Sequence, residues 1–162
     1  MTEKKIFKSA EDLKKISDVW KCQGYEIVFT NGCFDIIHLG HIDYLEKAKL
    51  LGDKLIVGLN SDDSIRKIKG HNRPINNQYA RSRMLAALAF VDAVVVFEEE
   101  TPFTLIEYLV PDILVKGNDY APNNIIGAEI VIENGGRVET IELVEGYSTS
   151  LIIKKVLNLN FN

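Results

Sequence analysis

Apolar positions follow two rhythms along this chain, and the rhythm switches repeatedly. Over residues 9–22, Leu13, Ile16, Val19 and Trp20 recur at helical spacing, and Ser9 with Asp12 three residues on has the form of a capping box. Gly24 ends that segment, and residues 25–30 (YEIVFT) read as a first strand, rich in β-branched and aromatic side chains. Residues 40–51 return to helical spacing, with Gly52 suited to the position just past the helix. Residues 54–60 (KLIVGLN) form a nearly continuous apolar run, as expected of a parallel strand covered on both faces. Ser61 caps a short helix to Lys67, and 68–76 (IKGHNRPIN) is a loop marked by Gly70, Asn72 and Pro74. A helix over 78–90 precedes a third strand at 93–97. Pro102 opens a helix to Leu109, and a fourth strand covers 112–116. A polar loop at 117–123 leads into a helix ending near Asn134. A fifth strand covers 137–143, and a last helix starts near Ser148 and runs through Val156 and Leu157.

Strands alternating with helices from end to end predict an α/β fold: one Rossmann-like, doubly wound domain over 1–162 with a five-stranded parallel sheet and right-handed crossovers. Residues 1–24 are expected to be a helical extension. No repeat, linker or low-complexity segment interrupts the pattern. In such sheets ligands bind beyond the C-terminal ends of the strands. The loops expected there are 31–39, 60–64, 98–101, 117–123 and 144–149, and most of the unusual polar residues of the chain fall in them.

Composition narrows the classes. With 162 residues, 46% hydrophobic and 26% charged, the chain is long enough for one sizeable core. Lys and Arg number 19 against 23 Asp and Glu, a net −4, which argues against a general nucleic-acid or membrane-surface binder but leaves room for a local basic pocket. Cys22 and Cys33 have no metal-ligand spacing and read as free thiols in a reducing compartment. The N-terminus has no apolar core of signal-peptide length and no segment reaches membrane-span length, so the expected location is the cytoplasm.

The candidate chemistry concentrates in residues 28–41, VFTNGCFDIIHLGH. Asn31 and Gly32 follow the first strand directly, and Gly32 permits close backbone approach to a ligand. The helix starting near Leu39 or Gly40 offers free N–H groups and a positive dipole end. His38 and His41, three apart, can face the same side of that helix start. Two imidazoles there suit an oligophosphate and the charge that develops in phosphoryl transfer. Spacing alone equally allows one histidine to be a cap and the other a surface residue. A zinc site is disfavoured, because no cysteine or third histidine lies nearby, and no metal ligands are assigned.

GCFDIIHLGH resembles the GxFDxxHxGH signature of the nucleotidylyltransferase superfamily, whose HxGH motif binds the triphosphate of the nucleotide. The resemblance continues through YLEKAKLLGDKLIVGLNSDDSIRKIKG, RPIN, RSRMLAALAFVDAVVVFEE, PDILVKGNDY and GYSTS, all similar to the branch that adenylylates heptose 1-phosphate. That branch is often fused to a sugar kinase, and the resemblance implies a free-standing form here, acting after a separate kinase and phosphatase. It implies ATP and heptose 1-phosphate as substrates, Mg²⁺ carried with ATP, no nucleic-acid or membrane partner, and a homodimer. It implies catalytic or phosphate contacts for His38, His41, Lys49 and Arg81. Nucleotide contacts are implied for Thr30, Asn31, Gly32, Cys33, Phe34, Gly40, Lys116, Gly117, Asp119, Ser148 and Thr149, and substrate contacts for Asp35, Asn60, Lys69 and Arg73. Several keep plainer readings. Asp35 can brace the turn. Lys49 can sit on a solvated helix face beside Glu46. Asp119 can form a turn, and Ser148 can simply cap its helix.

Two positions depart from related patterns. Cytidylyltransferases of this superfamily carry an Arg shortly before the Glu-Gly of an RTEGIST-like motif, whereas LVEGYSTS here has Leu143, which favours the heptose branch. Asn118 stands where close relatives have Gly, which leaves base choice to that loop. The rival readings are a cytidylyl- or guanylyltransferase acting on glycerol 3-phosphate or another sugar phosphate, and a nucleotide-binding module without turnover. A dinucleotide oxidoreductase is weaker, since the first strand–helix turn lacks GxGxxG.

Overall fold

The computed structural model describes residues 2–118 and 125–159. After a 3₁₀ turn (Thr2–Lys5), the elements in order are β1 (Ile6–Phe7), α1 (Ala10–Cys22), β2 (Ile27–Gly32), α2 (Leu39–Lys49), β3 (Lys54–Asn60), α3 (Asp62–Lys69) and α4 (Gln78–Ala87). There follow β4 (Ala93–Phe97), α5 (Phe103–Leu109), β5 (Ile113–Gly117), α6 (Ala128–Glu133), β6 (Arg137–Ile141) and α7 (Thr149–Leu157).

Four of the described helices, α1, α3, α4 and α7, start where short polar side chains satisfy the first N–H groups. Ser9 accepts from Asp12 N, Ser61 from Ser64 N, Asn77 from Ala80 N and Ser148 from Leu151 N. The helix predicted over 78–90 is shorter than expected, because Leu88 is already extended. β2 outlasts its apolar residues: Asn31 and Gly32 stay in register with Gly58 and Leu59 of β3, which carries the ladder past Thr30.

The sheet has six parallel strands in the order β1-β4-β3-β2-β5-β6, one more than the five expected. The extra strand, β1, is two residues long, with Ile6 opposite Val94 and Phe7 opposite Val95. It lies in the segment expected to be only helical. Its approach is fixed by Lys5, whose Nζ donates to Val91 O at 2.6 Å and Leu88 O at 3.1 Å, and by a 2.8 Å ion pair between Arg83 and Glu3.

The core lies on both faces of the sheet. Val28, Leu55, Val57, Val94 and Val115 pack under Tyr44, Leu45 and Ala48 of α2 and Leu85 and Ala86 of α4. Ile27, Phe29, Ile56, Val95 and Leu114 pack under Leu13 of α1, Leu105, Ile106 and Leu109 of α5, and Val131 of α6. Alternate residues of one strand thus serve opposite layers, which is why β3 reads as an unbroken apolar run. Among the described residues, no helix is long and apolar enough to cross a membrane.

Strand order decides where a ligand fits. From β2 the chain steps through β3 to β4 on one side, then returns to place β5 on the other side of β2. The crevice beyond the C-terminal ends of β2 and β5 is therefore the switch point of the sheet.

Candidate active site

The ends of β2 and β5 are tied together by Lys116, whose Nζ donates to Asn31 Oδ1. Past Gly32 the chain turns sharply at Phe34, a non-glycine residue at φ 44°. This left-handed conformation costs roughly 1–2 kcal/mol. It seats the Phe34 ring under the turn, 5.1 Å from the His41 ring.

Asp35 comes next and is 1% exposed. It accepts from Arg73 Nε at 2.7 Å, Ile75 N at 2.9 Å and Asn76 N at 2.9 Å. Burial alone pushes its carboxyl up, but the two backbone N–H groups and the Arg73 guanidinium prevail and hold it below the usual carboxylate range.

His38 is the N-cap of α2, with Nδ1 accepting from His41 N at 3.3 Å. An accepting Nδ1 puts the hydrogen of the neutral ring on Nε2, so the cap bond also sets the tautomer. The two rings stack at 3.7 Å between centroids and 18° between planes. His41 Nδ1 is buried and has no hydrogen-bond partner among the described residues. Burial pushes His41 down to about 4, helped by the charge His38 would carry and by Lys69 and opposed by the Ile36 carbonyl. Burial also lowers His38. At neutral pH both rings are neutral donors beside a helix N-terminus. Gly40 makes the stack possible: a Cβ there would lie 3.1 Å from His38 Nδ1 and 3.4 Å from Tyr147 Cβ.

These groups face a cavity of about 390 Å³. Asn31, Gly32, Cys33, Phe34, Gly40, Lys116, Gly117, Ser148 and Thr149 line it, as do His38, His41, Lys69 and Arg73. The α2 and α7 N-termini both form part of its wall, so two positive helix ends join Lys69, Arg73 and Lys116 around one space. No carboxylate is among the described lining residues.

Five sequence-predicted residues are not in this wall. Thr30 is fully buried and shares a 2.7 Å hydroxyl bond with Tyr44, which in turn donates to Val115 O. Asp35 is spent on the 73–76 loop. Asn60 is buried and donates to Ser64 Oγ at 3.0 Å. Lys49, expected near phosphate, sits at the other end of α2, where Asp92 Oδ2 at 2.6 Å and the Asp53 carbonyl hold its ammonium. The helix rise separating that end from His41 and His38 is roughly 12 and 16 Å. Arg81, expected to reach phosphate, is 0% exposed. Its Nε donates to Asn76 O, its Nη1 to Cys33 O and Asn60 O, and its Nη2 to Asp62 Oδ1, all within 2.9 Å. Arg81 therefore braces the loops behind the cavity. Asp119 lies outside the described residues.

Tyr44, Leu143, Val144, Tyr147 and Ser150 line the cavity without having been singled out as site residues. Tyr44 was legible, lying one helical turn after His41. The others flank the Ser-Thr pair.

A family model described as cytidylyltransferase-like matches residues 29–155. The chain belongs to the cytidylyltransferase-like family of nucleotidylyltransferases. Among its relatives, "Bifunctional protein HldE" of Campylobacter jejuni subsp. doylei is 57% identical over 154 residues, covering 95% of this chain and 32% of that protein. The protein of the same name from Syntrophotalea carbinolica is 52% identical over 148 residues, 91% of this chain and 30% of that one. The chain thus spans about a third of the length of these curated relatives. A crystal structure of the lipopolysaccharide core biosynthesis protein from Thermoplasma volcanium is similar with a TM-score of 0.62 and 28% identity, covering 77% of this chain and all of that one. The pantoate-beta-alanine ligase of Francisella tularensis, at a TM-score of 0.58 and 14% identity, shares the fold. As a cytidylyltransferase-like protein, the chain places its HxGH histidines at the switch point of the sheet, on the helix end that faces the cavity.

Proposed function

We propose that this protein transfers AMP from ATP to a heptose 1-phosphate, giving an ADP-heptose and pyrophosphate for lipopolysaccharide core precursor synthesis. The observation that carries the reading is the stacked His38–His41 pair at the α2 N-terminus, facing a cavity whose described charged residues are all cationic. The name of the Thermoplasma volcanium lipopolysaccharide core biosynthesis protein agrees with the pathway, and the resemblance of the later loops to the heptose branch supports the acceptor.

In this reading a sugar-phosphate oxygen attacks the α-phosphorus in line. The new P–O bond forms as the bond to the bridging oxygen breaks, and pyrophosphate leaves with the electron pair. The attacking phosphate is already an anion, so no strong general base is required. Catalysis is positioning and charge stabilisation. His38 offers Nε2–H, His41 offers a neutral ring, and the α2 end offers backbone N–H groups to oxygens that gain charge.

The described residues do not suit a protein-held Mg²⁺. That ion wants oxygen ligands, carboxylates above all, and the cavity wall supplies imidazole, ammonium and guanidinium instead. Magnesium belongs here to the MgATP substrate. We place the enzyme in the cytoplasm, as one domain and a homodimer, receiving its acceptor from a sugar kinase and a phosphatase.

The test is pyrophosphate release over ATP, CTP and GTP, each with heptose 1-phosphate and glycerol 3-phosphate. ATP with heptose 1-phosphate is expected to be the fastest pair. Preference for CTP with glycerol 3-phosphate, or nucleotide binding without release from any pair, refutes the reading.

A further inference from the structure

Asp35 is the acid of the signature turn, yet it does not face the cavity. Its carboxylate reaches to the loop after α3 and takes three donors there: Arg73 Nε, Ile75 N and Asn76 N. The Asn76 side chain returns a 2.7 Å bond to the Asp35 carbonyl. The loop has little else to shape it near Arg73 beyond a 3.1 Å bond from Arg73 N to Gly70 O. Asp35 thus fixes the loop at Arg73, Ile75 and Asn76, and Arg81 Nε holds its far end through the Asn76 carbonyl at 2.9 Å.

The geometry of the Arg73 bond matters. Asp35 grips Nε, and a guanidinium is planar, so holding Nε fixes the plane and leaves the two Nη groups free for another anion. No other described residue is paired with the Arg73 guanidinium. A fork of two Nη donors matches the oxygens of a phosphate.

The place of Arg73 suggests which phosphate. Arg73 and Ser150 line the histidine cavity and also an adjoining groove of about 520 Å³ between the loop and α7, walled by Asn72, Ile75, Lys154 and Leu157. The histidines and the α2 end serve the nucleotide's phosphates from within. A phosphate on Arg73 sits on the boundary, where a second substrate enters.

We propose that Arg73 clamps the phosphate of the acceptor, and that Asp35 is a positioning residue acting through Arg73. This rests on the transferase reading above. Asp35 itself touches no substrate, because its oxygens are occupied and buried.

The experiment is a double-mutant cycle on initial rates of pyrophosphate release, varying heptose 1-phosphate at saturating MgATP and the reverse, with thermal melts of each variant. Asp35→Asn and Arg73→Ala each raise the acceptor KM at least about tenfold, the scale of one lost charge-assisted hydrogen bond, and leave the ATP KM within about threefold. The double variant is no worse than Arg73→Ala alone. Additive losses would make Asp35 merely structural, and a selective rise in the ATP KM would put Arg73 on the nucleotide. Either result overturns the proposal. Should Asp35→Asn fail to fold, Arg73→Lys decides. It keeps the charge but loses the fork and the Asp35 grip, so it retains the raised acceptor KM, and full recovery refutes the aim.

Absence of pyrophosphate release by the unaltered protein refutes the transferase reading instead. The clamp is then read by titrating inorganic phosphate into protein saturated with α,β-methylene ATP. Arg73→Ala and Asp35→Asn each weaken phosphate binding at least about tenfold, and unchanged binding overturns the clamp.

Discussion

Replacing Arg81 with Met separates two accounts of this residue. Met is apolar and fills a long buried slot, so the change removes the guanidinium with little loss of volume. The guanidinium makes bonds of 2.9, 2.7, 2.8 and 2.7 Å to Asn76 O, Cys33 O, Asn60 O and Asp62 Oδ1. Hydrogen bonds to a charged group contribute about 1.5–3 kcal/mol each, and breaking a buried ion pair costs about 3–5 kcal/mol. The contributions do not add. Relief of the arginine's desolvation offsets part of the loss, and the Asp62 side chain, 20% exposed, regains water. The net is roughly 3 kcal/mol, or about 6–12 °C in melting temperature for a chain of this size. Calorimetric melts of Arg81→Met and the unaltered protein measure it. A drop below about 2 °C together with lost activity would refute the bracing role. It would return Arg81 to the phosphate contact implied by resemblance.

Two further outcomes follow from the histidine stack. Gly40→Ala gains about 1 kcal/mol of helix propensity but pushes a methyl to 3.1 Å from His38 Nδ1, so melting stays within a few degrees while the ATP KM rises; an unchanged KM would show that the stack tolerates displacement. His41 has a folded pKa of about 4 against an ordinary value of about 6.5, so the unfolded chain takes up a proton that the folded one refuses. The stability from this group is whole above about pH 6.5 and is lost as pH falls toward 4. Urea unfolding at pH 7 and pH 4.5 is therefore expected to show a larger loss for the unaltered protein than for His41→Gln, and equal losses would contradict the burial argument.

The parts legible in the sequence were those with a local cause. Ser9, Ser61 and Ser148 act on N–H groups three residues away, so the starts of α1, α3 and α7 could be read directly. The unbroken apolar run of β3 records two covered faces. The placement beyond the C-terminal strand ends followed from strand–helix alternation, which put Asn31, His38, Lys116 and Ser148 at one end of the sheet, whereas the switch point needed the strand order. β1 was not legible, because two residues hold no periodicity and Ile6–Phe7 is a strand only by pairing with β4. The phosphate contact of Lys49 was implied by resemblance alone, and its pairing with Asp92, 43 residues on, is made only by the fold. Nothing local marks Arg81 as buried either. Its four acceptors come from Cys33, Asn60, Asp62 and Asn76, which only the fold assembles.

The central claim is that the His38–His41 cradle carries the transfer, and His41→Ala, which removes the ring donor outright, tests it most directly. Steady-state pyrophosphate release from MgATP and heptose 1-phosphate is compared with the unaltered protein at pH 7.5, with melting followed in parallel. Losing one transition-state donor is expected to lower kcat by about 10²-fold or more while the fold survives. Near-normal turnover in a folded His41→Ala protein would contradict the account.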